Sequence, residues 1–397
     1  MKWEVKTLDD LCDIARGGSP RPIKAYLTNE SDGINWIKIA DASASSKYIY
    51  ETQEKIKPEG IKKSRFVEPG DFLLSNSMSF GRPYIMKTSG CIHDGWLVLK
   101  DKNGLFDQDY LYYFLNSQVA YKQFDKLASG STVRNLNTTL VKKVLVPIPP
   151  LEEQKRIVEI LDECFAGIEQ AEAIARQNLI NARELFDSYL NKIFTDSEQD
   201  FEIKTLNNVC IVERGSSPRP IKEYITASED GVNWVKISDT QDQPKYITKT
   251  KQKITKEGSQ KSRKVEPGDF ILTNSMSYGK PYIMNTTGYI HDGWFVLRLS
   301  KNLDANFFYY LLSSNMVQNQ FLNLASGSVV KNISSDLVKQ AKFPIPPLDE
   351  QKKLVLQIEN LHSQSQKLEA IYQRKLENLA ELKQSILQKA FTGQLTQ

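Results

Sequence analysis

Two long stretches of the chain place apolar residues at helical spacing, and each stretch begins just after a Pro-Pro pair. From Ile157 to Ile193, apolar or small residues recur in steps of three and four, a heptad pattern with one interruption. The same pattern runs from Leu354 to Ala390, and Gly393 follows as a residue suited to ending a helix. At 1.5 Å per residue, a helix of about 43 residues would extend roughly 65 Å. The pattern therefore predicts two long helices, each with one apolar seam that needs a partner.

The stretches that precede these helices have a different pattern. Short apolar runs at Ile34–Ile39, Phe72–Leu74 and Trp96–Leu99 are separated by Gly, Pro, Asn and Asp, which is typical of strands joined by turns. The run over Asp109–Leu127 has helical spacing instead. This combination predicts a mixed α/β globule ahead of each long helix.

The chain consists of two tandem copies of one sequence unit. The segments "GGSPRPIKAYL", "DGINWIKIAD" and "IHDGWLVL" of the first half correspond to "GSSPRPIKEYI", "DGVNWVKISD" and "IHDGWFVL" of the second. The offset is 198 residues at Trp36 and His93, and 197 residues from about Tyr112 onward. Repetition at an almost fixed offset indicates a duplicated fold.

The predicted fold class is α+β, with two tandem mixed α/β domains and two long antiparallel coiled-coil helices related by a pseudo-twofold axis. We expect globular domains at residues 1–150 and 198–347, and long helices at 151–197 and 348–397. Because the helices share length and seam, pairing with each other is the expected way to bury both seams. The alternative is that each helix packs only on its own globule.

Composition and charge narrow the class of protein. The apolar content of 40% and charged content of 25% are ordinary for a globular protein, and no run approaches the ~18 apolar residues of a membrane span. The four cysteines are scattered, so we expect neither a disulfide framework nor a zinc site, and a location in a reducing cytoplasm. Net charge is +4 for residues 1–150, −7 for 151–200, +6 for 201–347 and +1 for 348–397. The two basic blocks permit a polyanionic partner.

The sequence carries none of the common catalytic signatures. It has no GxxxxGK[ST], GxGxxG, HExxH or GxSxG motif, and no Asn-Pro-Pro-aromatic motif of adenine methyltransferases. His93-Asp94 and His291-Asp292 could act as acid–base pairs. Alternatively, "HDGW" is a turn whose histidine makes a structural or nucleic-acid hydrogen bond. The second interpretation is favoured, and neither a catalytic residue nor a metal ligand is assigned.

A set of cationic and polar loop residues occurs in both halves. Guanidinium groups, hydroxyls and free backbone amides suit phosphates and guanine edges, although each segment alone could be an ordinary surface turn. The candidate DNA contacts of the first half are Arg16, Ser19, Arg21, Lys24, Lys63, Arg65, Ser77, Ser79, Arg82, His93, Ser131, Arg134 and Asn135. Those of the second half are Arg214, Ser217, Arg219, Lys222, Lys261, Arg263, Ser275, Ser277, Lys280, His291, Ser328, Lys331 and Asn332.

Together these segments resemble the specificity subunit of type I DNA restriction–modification enzymes. The resemblance spans essentially the whole chain and rests on "LASGST" and "LASGSV" followed by "PIPPLEEQ" and "PIPPLDEQ", each leading into a long helix that ends in "FT". It implies a non-catalytic DNA reader in which each globule is a target recognition domain for half of a bipartite site. It also implies spacer helices that dock two methylation subunits, which carry S-adenosylmethionine and the adenine-N6 chemistry. Restriction subunits are a further partner that the resemblance leaves open.

The likeness of the two halves adds an expectation of its own. They agree in well over half of their positions, so two such readers related by a twofold axis would recognise like sequences on opposite strands. We therefore expect a near-palindromic, interrupted target. Divergence is expected where Arg82 is replaced by Lys280 and Arg134 by Lys331. A free-standing DNA-modifying enzyme and a coiled-coil scaffold that does not bind DNA are the alternatives.

Overall fold

The computed structural model describes residues 3–43, 47–76, 80–128, 135–195, 201–274, 279–326 and 334–395. The chain divides into two compact units, the first comprising Met1–Arg176 with Arg374–Gln397 and the second Gln177–Gln373. Each unit therefore contains one globule together with part of both long helices.

The described part of the first unit contains twelve strands, five short α-helices and two 3₁₀ helices (Ile23–Ala25 and Pro58–Lys63) ahead of its first long helix. The strands are β1 (Glu4–Thr7), β2 (Cys12–Arg16), β3 (Leu27–Thr28), β4 (Ile34–Ile37), β5 (Tyr48–Ile49), β6 (Glu54–Ile56), β7 (Arg65–Val67), β8 (Phe72–Ser75), β9 (Pro83–Met86), β10 (Gly90–Ile92), β11 (Trp96–Asp101) and β12 (Leu145–Ile148). The helices are α1 (Leu8–Leu11), α2 (Ile39–Ser43), α3 (Gln108–Leu115), α4 (Gln118–Ala128), α5 (Thr138–Val141) and the long α6 (Leu151–Thr195).

Two five-stranded sheets and a helical layer build this unit. The sheet orders are β3-β6-β4-β10-β7 and β2-β11-β8-β9-β5, and β1 pairs with β12 separately. Trp96 and Val98 of β11 belong to the apolar cluster between the two sheets, whereas Leu97 and Leu99 belong to the cluster under the helices. Successive side chains of a strand point to opposite faces, so the uninterrupted apolar run "WLVL" marks a strand covered on both sides.

The second unit repeats this architecture. Its strands are β13 (Glu202–Thr205), β14 (Cys210–Arg214), β15 (Ile225–Thr226), β16 (Val232–Val235), β17 (Tyr246–Ile247), β18 (Gln252–Ile254), β19 (Arg263–Val265), β20 (Phe270–Thr273), β21 (Pro281–Met284), β22 (Gly288–Ile290), β23 (Trp294–Leu299) and β24 (Lys342–Ile345). Its helices are α7 (Leu206–Val209), α8 (Lys256–Gln260), α9 (Ala305–Ser313), α10 (Asn315–Ser326), α11 (Ser335–Lys339) and the long α12 (Leu348–Phe391). The sheet orders β15-β18-β16-β22-β19 and β14-β23-β20-β21-β17 match those of the first unit strand for strand.

The long helices confirm the predicted seams. α6 has 45 residues and α12 has 44, and every predicted seam position in both is buried or half-buried. Gly393, just beyond α12, has φ of +73°, a conformation that glycine adopts without strain.

Within each unit, segments of both helices complete the core. In the second unit, Arg183 pairs with Glu369 at 2.9 Å and Tyr189 lies near Gln357, so the two segments run antiparallel. In the first unit, Phe391 at the end of α12 packs edge-on against Tyr110 of α3, with ring centroids 5.4 Å apart. Each helix segment therefore packs on the other helix and on a globule, as the shared seam predicted, and the alternative in which each helix packs only on its own globule is wrong.

Two predicted elements have different bounds in the structure. The helix expected over Asp109–Leu127 is two helices, because the Ser117 hydroxyl donates to Phe114 O at 2.6 Å and accepts from Ala120 N, which starts α4. The strand expected over Ile34–Ile39 ends at Ile37. There Asp41 accepts a hydrogen bond from Lys38 N at 2.8 Å, and the chain turns into α2.

Candidate nucleic-acid interface

The repeated phrase that starts at Gly17 lies directly on the strands β10 and β11. Gly17 N donates to Trp96 O at 2.9 Å, and Gly18 N donates to Ile92 O at 3.1 Å. A β-carbon on Gly17 would lie 2.1 Å from the His93 carbonyl oxygen, so only glycine fits this contact. This packing brings the following Ser-Pro-Arg-Pro segment against the "HDGW" turn, and the Arg21–Pro22 peptide bond is cis.

Asp94 of that turn organises the loop. Its carboxylate accepts a hydrogen bond from Ser19 Oγ at 2.8 Å and lies 3.7 Å from the Arg21 guanidinium. Its backbone carbonyl accepts from Arg16 Nε at 3.0 Å and from Asn76 Nδ2 at 2.9 Å. The hydrogen bond from Ser19 is the main reason that the pKa of Asp94 lies below its ordinary value, so the carboxylate is ionised.

His93 is held as a neutral ring. Its Nδ1 accepts a hydrogen bond from Gly95 N at 2.9 Å, which leaves the proton on Nε2. The ring lies between Trp36 and Trp96, with centroids 6.3 and 6.2 Å away, and burial lowers its pKa. The Asp94 carboxylate is 3.9 Å from Nδ1 and makes no hydrogen bond to the ring. The arrangement is therefore not that of an acid–base dyad.

These groups line a pocket of about 710 Å³ on the first unit. Three donors surround it: the Arg21 guanidinium, which is 83% exposed, the Lys38 ammonium and the His93 imidazole N–H. Asp94 is the one carboxylate among the lining residues that the structure describes, and Ser19 and Arg21 already engage it. Such a site suits a phosphate or the acceptor-rich edge of a base.

The second unit repeats the site contact by contact. Ser217 Oγ donates to Asp292 at 2.7 Å, Arg219 lies 3.7 Å from the same carboxylate, and His291 Nδ1 accepts from Gly293 N at 2.9 Å. Burial again lowers the pKa of the histidine. The pocket measures about 390 Å³ and is lined by Ser217, Pro218, Arg219, Ile221, Ile225, Trp234, Lys236, Gln252, His291 and Asp292.

The other predicted contact residues lie in several places. Lys63 is tied to the Tyr26 hydroxyl at 2.6 Å, and Lys24 and Arg65 are exposed near the opening phrase. Arg82 lies outside the pocket lining and covers the Tyr84 ring at 5.3 Å. In the second half, Lys222 is exposed, Lys261 bonds to Tyr224, Arg263 is paired with Glu213 and Lys280 covers Tyr282. Asn135 is exposed outside the pocket, and Ser77, Ser79, Ser131, Arg134, Ser275, Ser277, Ser328, Lys331 and Asn332 lie outside the described residues.

Sequence reasoning missed two residues of the pocket. Trp36 and Lys38 line it in the first unit, and their counterparts Trp234 and Lys236 line it in the second. The signal was present, because "NWIKI" and "NWVKI" differ only at the residue between the tryptophan and the lysine. A buried tryptophan followed two residues later by an inward lysine looks like an ordinary strand until the facing turn is known.

The neutral histidines make stability depend on pH. Because burial lowers the folded-state pKa of His93 and His291, the unfolded chain binds more protons once the pH falls below about 6.5. We expect the free energy of unfolding to fall between pH 7.5 and 5.5, by at most about 1.4 kcal/mol per pH unit for each histidine. Denaturant melts should show a smaller fall in the double variant His93→Asn/His291→Asn, whose amide oxygens can replace Nδ1 as acceptors. An equal fall in both proteins would contradict this assignment.

The described residues contain no group of three or more His, Cys, Asp or Glu side chains placed to hold a metal ion. None of their helices combines the length and apolarity needed to cross a bilayer.

Comparison with known proteins identifies the family. The model for the type I restriction modification DNA specificity domain matches residues 1–180 and again residues 198–378. The chain belongs to this family. It is a type I restriction–modification specificity protein with one specificity domain in each half, and its role is DNA sequence recognition.

Relatives and solved structures agree with this assignment along the whole chain. The specificity protein is 23% identical to the EcoBI specificity subunit of Escherichia coli, over 99% of this chain and 86% of that protein. It is 23% identical to the MjaVIII specificity subunit of Methanocaldococcus jannaschii, over 99% and 93%. A solved chain of a type I R-M system shares the fold with a TM-score of 0.76 at 19% identity, covering 99% of this chain and 98% of that one. The HsdS subunit of Thermoanaerobacter tengcongensis gives a TM-score of 0.65 at 20% identity, covering 99% and 97%.

Proposed function

We propose that residues 1–150 and 198–347 each read one half of a bipartite DNA site, and that the two pockets are the centres of these readers. The duplicated pocket supports this proposal, because its lining brings the hydrogen-bond donors of Arg21, Lys38 and His93, or of their counterparts, to one opening. Phosphates and guanine edges present the complementary acceptors in duplex DNA. The remaining predicted contact residues, including Arg82 and Lys280, would extend this surface.

The chemistry is proposed to reside in partners. Among the lining residues that the structure describes, the one hydroxyl, that of Ser19, donates to Asp94, and the histidine makes no hydrogen bond to a carboxylate, so these residues do not form a nucleophile activated by a histidine base. Two methylation subunits that bind S-adenosylmethionine would dock on the long helices, as the family likeness implies. Restriction subunits would complete the nuclease form of the complex. The chain itself would determine which DNA sequence is recognised and how far apart the two half-sites lie.

The likeness of the two pockets predicts the form of the target. If a twofold axis relates the two readers, their half-sites should be close to inverted copies of each other, with centres about one helical turn apart. Methylome sequencing of the host with and without this chain should reveal adenine methylation that depends on the chain and lies in such a motif. A chain-dependent motif with two unrelated half-sites would refute the near-palindrome. Unchanged methylation after deletion of the chain would refute the proposed function.

A further inference from the structure

The two pockets differ in the partner of their lysine. In the first unit, Lys38 Nζ forms an ion pair with the Glu54 carboxylate at 2.7 Å. In the second unit, the equivalent Lys236 Nζ donates to the amide oxygen of Gln252 at 3.3 Å. An amide cannot neutralise an ammonium group, so the lysine charge is compensated by a neighbouring carboxylate in the first pocket, whereas no described carboxylate pairs with the lysine of the second.

The units also differ at a neighbouring arginine, and here the second unit is the one that has the carboxylate partner. Arg263 of β19 pairs with Glu213 at 2.9 Å, and Arg298 contacts the same carboxylate. The equivalent of Glu213 in the first unit is Ala15. Within the described part of the chain no carboxylate lies within ion-pair distance of Arg65, which is exposed.

Both cations lie beside the same histidine turn. Arg65 of β7 is in register with Ile92, the residue before His93, and Lys38 lines the pocket against His93 itself. The second unit has the same register, with Arg263 opposite Ile290. In each unit, one cation of this pair lies within ion-pair distance of a carboxylate, Lys38 in the first unit and Arg263 in the second. Among the described residues, the other cation has no such carboxylate, and it is Arg65 on the strand in the first unit and Lys236 in the pocket in the second.

We propose that this relocation of an acid, Glu54 in one unit and Glu213 in the other, makes positions 15/213 and 54/252 determinants of specificity at which the two half-sites differ. This inference rests on the proposed function and deepens it. A free guanidinium can bind guanine O6 and N7 with two parallel hydrogen bonds, whereas a lysine in a pocket acts as a single mobile charge. Two otherwise like readers then prefer different bases at one position of their half-sites.

The test converts the second unit to the pattern of the first. In the double variant Gln252→Glu/Glu213→Ala, Lys236 gains a carboxylate and Arg263 loses its carboxylate. The variant is expressed in the host in place of the natural chain, and its methylome is sequenced. We expect the half-site read by the second unit to change so that it matches the other half-site more closely. The assembled complex should then favour the new duplex over the original by about five- to 150-fold in a competition assay.

A second variant tests the same inference in the first unit. Glu54→Gln leaves Lys38 without its carboxylate and should alter only the half-site of the first unit. It removes one half-buried charge and no contact of an apolar cluster, so it keeps the test valid if the double variant is too unstable to assemble. Glu4→Gln and Glu202→Gln are matched controls, because each removes a carboxylate from an exposed lysine pair on the two-stranded sheet of its unit. Both controls should leave the motif unchanged.

The outcomes separate the inference from the proposed function. An unchanged motif in Gln252→Glu/Glu213→Ala and in Glu54→Gln would overturn the inference and leave chain-dependent recognition intact. Weaker binding to all sequences, with the salt slope changed by about one and the motif retained, would assign these cations to phosphates and would also overturn it. A wild-type methylome without any chain-dependent motif would instead remove the proposed function itself.

Discussion

Replacing Gln154 with leucine is expected to destabilise the first unit by about 3–5 kcal/mol. Gln154 is fully buried at the start of α6. Its amide oxygen accepts from Asp107 N at 2.7 Å, and its amide nitrogen donates to Leu105 O at 3.1 Å and Pro149 O at 2.8 Å. Leucine has a similar volume and can satisfy none of these backbone groups, so each would be left buried without a partner. Chemical denaturation at pH 7.5 measures the loss.

The control for this change lies in the same helix. Gln170 is exposed, so Gln170→Leu should change the free energy of unfolding by no more than about 0.5 kcal/mol. The second unit offers an independent repeat, because Gln351 bonds to Asp304 N, Asn302 O and Pro346 O in the same way. Equal effects of Gln154→Leu and Gln170→Leu would show that the buried amide is not needed.

This role explains the most specific part of the sequence signature. The glutamine of "PIPPLEEQ" and "PIPPLDEQ" joins the start of each long helix to the loop before α3 or α9. The signature therefore identifies the family through an architectural constraint on how the helix leaves the globule.

Gly17→Ala and Gly215→Ala are expected to damage the pockets directly. The added β-carbons would lie 2.1 Å from His93 O and 2.0 Å from His291 O, and these contacts are to backbone, which cannot rotate away. Each substitution should cost at least about 2–3 kcal/mol of stability. It should also weaken binding to duplex DNA of the wild-type motif, because the loop bearing Arg21 or Arg219 must move. Calorimetry and DNA titration of the assembled complex measure the two effects.

Gly167→Ala provides a control of opposite sign. Gly167 lies within α6, and a β-carbon there would meet nothing within 4 Å. Alanine should therefore stabilise the helix by about 0.5–1 kcal/mol and leave DNA binding unchanged. If Gly17→Ala were as harmless as Gly167→Ala, the close packing of the repeated phrase on the histidine turn would be refuted.

Local patterns predicted the long helices well because helix burial has a fixed period. The seam positions from Ile157 to Ile193 are all buried or half-buried in the structure. The break between α3 and α4 was not predicted, since "YLYYFLNSQVAYKQF" keeps helical spacing across it. Ser117 ends one helix and caps the next through its own hydroxyl, and a single polar residue in an apolar run gives no clear signal of this.

The candidate site was predicted in part. Two duplicated segments supplied Ser19, Arg21 and His93, which the structure brings to one pocket. They could not supply Lys38, because the register of β10 against β4 is what places this lysine beside the turn. The loop sequences also did not indicate that the Glu54 carboxylate compensates the charge of Lys38, whereas the Gln252 amide leaves the charge of Lys236 uncompensated.

The sequence by itself determined the duplication, the family, the two helical seams and the glycine- and proline-rich phrases that form the pockets. These features are encoded in periodicity and in residues with special backbone requirements, both of which act over a few neighbours. Only the tertiary structure decided which cations are free, since that depends on carboxylates brought in from other strands. It also decided that Leu387, Ala390 and Phe391, at the end of the second copy, complete the core of the first unit. The apolar seam indicates that a helix needs an apolar partner, and only the tertiary structure determines which surface packs against it.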